Sequence, residues 1–169
     1  MPLMSTHPLK MLAVTLGIAV LAAGGGYAFQ NQKAAGKAAA PSMVMEVYKT
    51  PTCGCCSLWV DHVRAAGFKV TSKDVTQAEL TALKAKHGVP AEMHSCHTGL
   101  TDGYVIEGHI PAREVIRFLQ QRPAAAGLAV PGMPLGSPGM EAPGVTARPY
   151  SVMSFDKQGR TTLFATIRP

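Results

Sequence analysis

The 169-residue sequence is 47% hydrophobic with a formal charge of +6, enough apolar content for one sizeable core with appendages but too short a chain for two full domains. Residues 1–40 hold Lys10, Lys33 and Lys37 and no acid, so three of the positive charges lie there and three in the rest. A body so mildly basic, without a Lys/Arg run, argues against nucleic-acid binding.

The chain opens with a segment that reads as an export signal. His7 and Lys10 precede the apolar stretch Met11–Ala23, then Gly24–Gly26 and a small-x-small cleavage pattern, Gly26-Tyr27-Ala28. Residues 1–28 are therefore expected to be a signal peptide or, uncleaved, an inner-membrane anchor, since Met11–Phe29 is just long enough to span a bilayer. Residues 29–42 form a linker rich in Ala, Gly and Lys. The body is expected in an oxidising envelope compartment, where free thiols need protection, with the leader as its one membrane contact.

From residue 43 the pattern alternates. Val44–Tyr48 predicts a strand, Cys53–Ala66 a helix with Leu58, Trp59, Val63 and Ala66 inward, and Phe68–Val75 a second strand. Thr76 and Glu79 have capping-box spacing and open a helix to His87, with Leu80 and Leu83 inward. After Val89-Pro90, two β-like runs follow, Glu92–Thr98 and Tyr104–Glu107, joined around Asp102-Gly103; Pro111 then starts a helix over Ala112–Gln121, with Val115, Ile116 and Leu119 inward. Residues 43–122 thus form an α/β core of order β-α-β-α-β-β-α. Residues 123–169 divide into a Met/Pro/Gly-rich loop to Pro149, too rich in Pro and Gly for regular structure, and a C-terminal β-hairpin, Tyr150–Phe155 with Thr161–Ile167.

The chemistry concentrates in four cysteines. Cys53, Cys55 and Cys56 fall within four residues of one another, and Cys96 lies in His94-Ser95-Cys96-His97. At the first turn of a helix, unpaired N–H groups favour thiolates, so the clustered thiols should be acidic and reactive. Three adjacent thiolates repel one another until a cation or a disulfide relieves them. Cys53 and Cys56 in C-x-x-C register after a first strand make the element order similar to the thioredoxin/glutaredoxin fold, in which the proline before the third strand, here Pro90, faces the thiols. A dithiol oxidoreductase would use Cys53 to attack and Cys56 to resolve; Cys55 is surplus to that task and fits a metal site. Two structural disulfides are a third reading, weakened by the adjacency of Cys55 and Cys56. Thiolates with thioether support select Cu(I), which makes Met133 and Met140 candidate ligands beside their bland role as gap-fillers. On a strand, His94 and Cys96 would share a face and His97 oppose them, leaving His97 either a ligand or a polar neighbour. His109, in a turn before a helix, could reach the same end of the sheet. His62 and His87 read as surface or capping residues, and Trp59 and Tyr48 as core.

Four segments together, Lys49–Cys56, Ser95–Thr98, Gly103–Pro111 and Gly127–Glu141, resemble the CopG-type periplasmic metal-binding proteins associated with copper resistance. The resemblance covers roughly residues 43–168. It implies a thioredoxin-like fold in which Cys53, Cys55, Cys56 and Cys96 hold copper as a thiolate-bridged cluster able to change oxidation state. His97, Met133 and Met140 are second-rank candidates inferred from softness. The implied partners are copper ions and other copper-export or copper-resistance proteins of the envelope.

Overall fold

A computed structural model describes residues 40–144 and 146–168; the expected signal or anchor and most of the linker lie outside them. Strand β1, Val44–Lys49, buries Met45, Val47 and Lys49 on one face, the period-two pattern of a strand in a covered sheet. It leads through Thr50–Cys53 into helix α1, Gly54–Ala65, which carries the chain back for β2, Lys69–Asp74, to pair parallel with β1. Helix α2, Gln77–Lys86, begins at the expected capping box: Glu79 N–H donates to Thr76 Oγ1 at 3.2 Å and Thr76 N–H to Glu79 Oε2 at 2.7 Å.

Three readings of the middle of the chain need correction. Ala91–Met93 is a 3₁₀ turn, and strand β3 starts only at His97, running to Thr101. The residue just before β3 is therefore Cys96, and Pro90, expected just before that strand, caps the 3₁₀ turn instead. The strand alternation that set His97 opposite Cys96 does not apply, because Cys96 precedes the strand. In α1, Leu58 is exposed and Val60 takes its place inside; in α2 the buried pair is Leu80 and Lys84, with Leu83 half-buried. Tyr48 is also half-buried, its hydroxyl donating to Glu46 at 2.7 Å.

Strand β4, Tyr104–Glu107, pairs antiparallel with β3, and helix α3, Ala112–Gln121, follows with Pro111 at its N-cap. The Pro/Gly-rich stretch is not all loop. Gly127–Ala129 forms β5, parallel to β4 and antiparallel to β6, so the C-terminal hairpin, β6 (Tyr150–Phe155) and β7 (Thr161–Ile167), joins the sheet through it. A Cβ on Gly127 would meet the Val105 carbonyl and the Phe155 ring, so glycine lets β5 fit between its neighbours. The sheet order is β2-β1-β3-β4-β5-β6-β7. The β-α-β-α-β-β-α portion is an α/β thioredoxin-like fold. The main core joins Met45, Val47, Trp59, Val63, Ile106, Phe118 and Leu128 to Tyr150, Val152 and Ile167 of the hairpin, so residues 123–168 contribute to the same interior. Among the described residues, no helix is long and apolar enough to cross a membrane.

Strand direction places the chemistry. The C-terminal end of β1 pairs with the N-terminal end of β3 at Lys49↔His97. The end of β4 lies beside that start at Thr98↔Glu107, and β5 ends alongside at Glu107↔Ala129. The segments that leave or enter these strand ends, Cys53–Cys56, Ser95–Cys96, Gly108–His109 and Val130–Met140, therefore meet at one edge of the sheet.

Candidate metal centre

At that edge, Cys53 and Cys56 are joined as a disulfide, while Cys55 and Cys96 are free. Cys53 sits at the N-cap of α1 and Cys56 is wholly buried one turn on. The ligand atoms of Cys53, Cys55, Cys56 and Cys96 all lie within 4.8 Å of one another, and so do those of Cys56, Cys96, His97 and His109. Cys55 Sγ is 3.6 Å from Cys53 Sγ, and Cys96 Sγ lies 2.9 Å from His109 Nε2 and 3.6 Å from His97 Nδ1. Two overlapping donor sets thus share Cys56 and Cys96.

The expected cysteines and His97 are gathered here. The methionines sit differently: Met133 is 50% exposed, and Met140 is half-buried in the turn that follows Pro138-Gly139. His94 turns away, its Nε2 3.3 Å from the Val89 carbonyl. His109 is a full member of the site. Its signal in the sequence was the Gly108-His109 pair following a strand end, where the glycine's φ of +80° turns the chain back over the sheet edge. Trp59 is core but also a wall of the site, its ring 4.3 Å from the His97 ring centre and its Nε1–H donating to the Ile110 carbonyl at 2.8 Å.

The loop between β5 and β6 closes one side. His109 Nδ1–H donates to the Pro138 carbonyl at 2.8 Å, which leaves Nε2 with its lone pair toward Cys96, the outer-shell arrangement that fixes a ligating imidazole. Ser95 Oγ donates to the Gly132 carbonyl at 2.5 Å, tying the loop to the Cys96 segment. Behind that segment lies a buried ion pair. Lys84 Nζ meets Glu107 Oε1 and donates to Thr98 Oγ1 at 3.0 Å; Thr98 in turn donates to Glu107 Oε2 at 2.7 Å, and Ser95 N–H to Glu107 Oε1 at 2.7 Å. Every polar atom of that pair is occupied, as a buried charge requires.

Burial sets the protonation states. It raises the Cys96 thiol to about 12, with the nearby Cys55 adding to the rise, so a metal has to displace a proton there. Burial, then His109 and Lys84, hold His97 well below the ordinary imidazole range. His109 is lowered by burial against the opposing pull of the Pro138 carbonyl. His62 belongs to neither donor set; its Nε2 accepts the Ala112 N–H at 3.0 Å at the start of α3, and burial lowers its pKa. These imidazoles favour the neutral state in the fold. Their contribution is full above the unfolded value of about 6.5 and is lost as pH falls through the lower folded values. Urea-denaturation stability is therefore expected to drop between about pH 7 and pH 5, and His62→Gln, which keeps an acceptor but cannot charge, should flatten that drop; an unchanged slope in the variant would count against it.

The comparisons with known proteins agree on one family. The family described as protein of unknown function, DUF411, matches residues 93–140, a span that includes Cys96, His97 and His109. No curated protein matches. Two solved structures of the copper resistance protein CopG do. Form 1 is 40% identical with a TM-score of 0.69, covering 76% of this chain and 99% of that one; form 2 is 42% identical with a TM-score of 0.67, covering 74% and 98%. This chain belongs to the CopG family. The fold expected from the sequence is thereby shown, and the four cysteines of this CopG-family chain occupy one end of its sheet.

Proposed function

We propose that this chain binds copper ions through Cys53, Cys55, Cys56 and Cys96 and serves copper resistance. The observation that carries the reading is the convergence of all four sulfurs within 4.8 Å, at a site where a dithiol alone would need only Cys53 and Cys56. The donor chemistry fits copper as cargo: thiolates suit Cu(I), and imidazoles suit Cu(II). His97, wholly buried, presents Nδ1 3.6 Å from Cys96 Sγ, and His109 Nε2 lies 2.9 Å from the same sulfur. Sulfur and nitrogen donors side by side support cycling between the two oxidation states. The disulfide must first be opened by an external dithiol, which gives up two electrons and two protons and leaves as its own disulfide while both thiols are freed. The leader-like residues 1–28 support export to the periplasm, where envelope copper-resistance proteins are the natural partners.

Anaerobic Cu(I) titration of the reduced full-length chain against a competing chelator tests this. Uptake of more than one copper per chain is expected, with a clear loss in Cys55→Ala; weak uptake insensitive to that variant would overturn the reading. A thiol–disulfide oxidoreductase is the second reading, favoured by the formed Cys53–Cys56 disulfide with Cys53 partly accessible and Cys56 buried. It predicts near-normal disulfide reductase activity in Cys55→Ala.

A further inference from the structure

The second donor set, Cys56, Cys96, His97 and His109, has a chemistry of its own. Two thiolates and two imidazoles are the complement that Zn(II) takes in closed tetrahedral sites. All four ligand atoms lie within 4.8 Å of one another, and contraction on the order of 1 Å would bring them to tetrahedral zinc spacing. The surroundings are those of a built site. Cys56, His97 and His109 are wholly buried, the Pro138 carbonyl fixes the His109 tautomer, and His97 Nδ1 faces the Cys96 sulfur at 3.6 Å. Cys53 and Cys55, the two donors left out, are sulfur alone, the class preferred by Cu(I).

We propose that the reduced, copper-free protein binds one zinc ion through Cys56, Cys96, His97 and His109. The site differs from the proposed copper site in its metal and in leaving out Cys53 and Cys55; Cys56, Cys96 and the two imidazoles are donors that copper can also use. Zinc binding at neutral pH releases the protons of the two thiols. It also excludes the Cys53–Cys56 disulfide, because Cys56 cannot hold zinc as a thiolate and be bonded to Cys53 at once. Zinc and copper therefore compete for the reduced chain, and the disulfide closes the zinc site.

The test is a Zn(II) titration of the full-length chain against a chromogenic chelator, after a phosphine has reduced the disulfide and left as its oxide. One zinc per chain is expected. His97→Ala and His109→Gln should each weaken it by at least the roughly 10–100-fold that loss of an outer-shell partner already costs. Cys55→Ser should leave zinc affinity unchanged, and Cys53→Ser should take up zinc without any reductant, since Cys56 is then unpaired. The oxidised wild-type chain is the control that needs no variant and should bind none here. Absence of zinc uptake by the reduced chain, equal uptake by the oxidised chain, or loss in Cys55→Ser with retention in the histidine variants would each overturn the proposal. Cu(I) titration of the same samples separates the two readings: zinc uptake without copper uptake sinks the copper function alone, and the reverse sinks the zinc site alone.

Discussion

Lys84→Ala is expected to destabilise the protein by about 3–5 kcal/mol, the cost of breaking a buried ion pair by removing one partner. Lys84 and Glu107 are 2% and 0% exposed, so the carboxylate left behind has no water to turn to. Burial already pushes the Glu107 carboxyl above its ordinary range, against the opposing pull of Lys84; without the ammonium it would protonate instead of remaining charged. The deficit should therefore shrink as pH falls, since a neutral Glu107 needs no counter-charge. Thermal unfolding near pH 7 should show a Tm lower by roughly 10–20 °C. The double variant Lys84→Met with Glu107→Leu, which removes both charges and keeps volume, should recover much of the loss. A loss below about 1 kcal/mol in Lys84→Ala would put the pair among ordinary surface salt bridges. The same variant loosens the metal centre, because Glu107 accepts the Ser95 N–H beside Cys96.

Gly139→Val should unseat the loop that backs His109. Gly139 has a φ of +85°, and a Cβ there would lie 2.6 Å from the Cys55 carbonyl oxygen and 3.0 Å from the Trp59 nitrogen. Both are backbone atoms of α1 and cannot move aside as a flexible side chain would. The left-handed backbone costs a valine about 1–2 kcal/mol and overpacking about 1–3 kcal/mol more. Relief comes by lifting Pro138-Gly139 off the helix, which removes the carbonyl that orients His109. Copper affinity should fall about 10–100-fold, as for other lost outer-shell partners. Gly159→Val is the matched control: its φ is +78° but nothing lies within 4 Å of its Cβ position, so it should carry only the backbone cost and leave copper binding intact. Equal copper affinities in the two variants would show that the loop does not position the site.

Local signals carried the first half of the fold into the sequence. The Thr76/Glu79 capping box and the Pro111 start of α3 are each written within a few neighbouring residues, and each stands where expected. What escaped depends on partners distant in the chain. Strand β5 is three residues of Gly, Leu and Ala, specified by β4 and β6 on its two sides and not by its own propensity. Lys84 looks like one more surface cation of an amphipathic helix until β3 and β4 set Thr98 and Glu107 against it. The cysteines were legible because soft donors in close spacing have few other uses; His109 needed the sheet register to bring it to them.

Because the metal-centre donors come from residues 53–56, 96–97 and 109, and close only where four strand ends align, no fragment of this sheet presents the full set. Cargo bound by the complete set consequently favours the folded over the unfolded chain, by an amount that grows with free metal as RT ln(1 + [L]/Kd). If copper is that cargo, as proposed, metal supply becomes a term in how long each molecule survives proteolysis, and copper scarcity would shorten its lifetime.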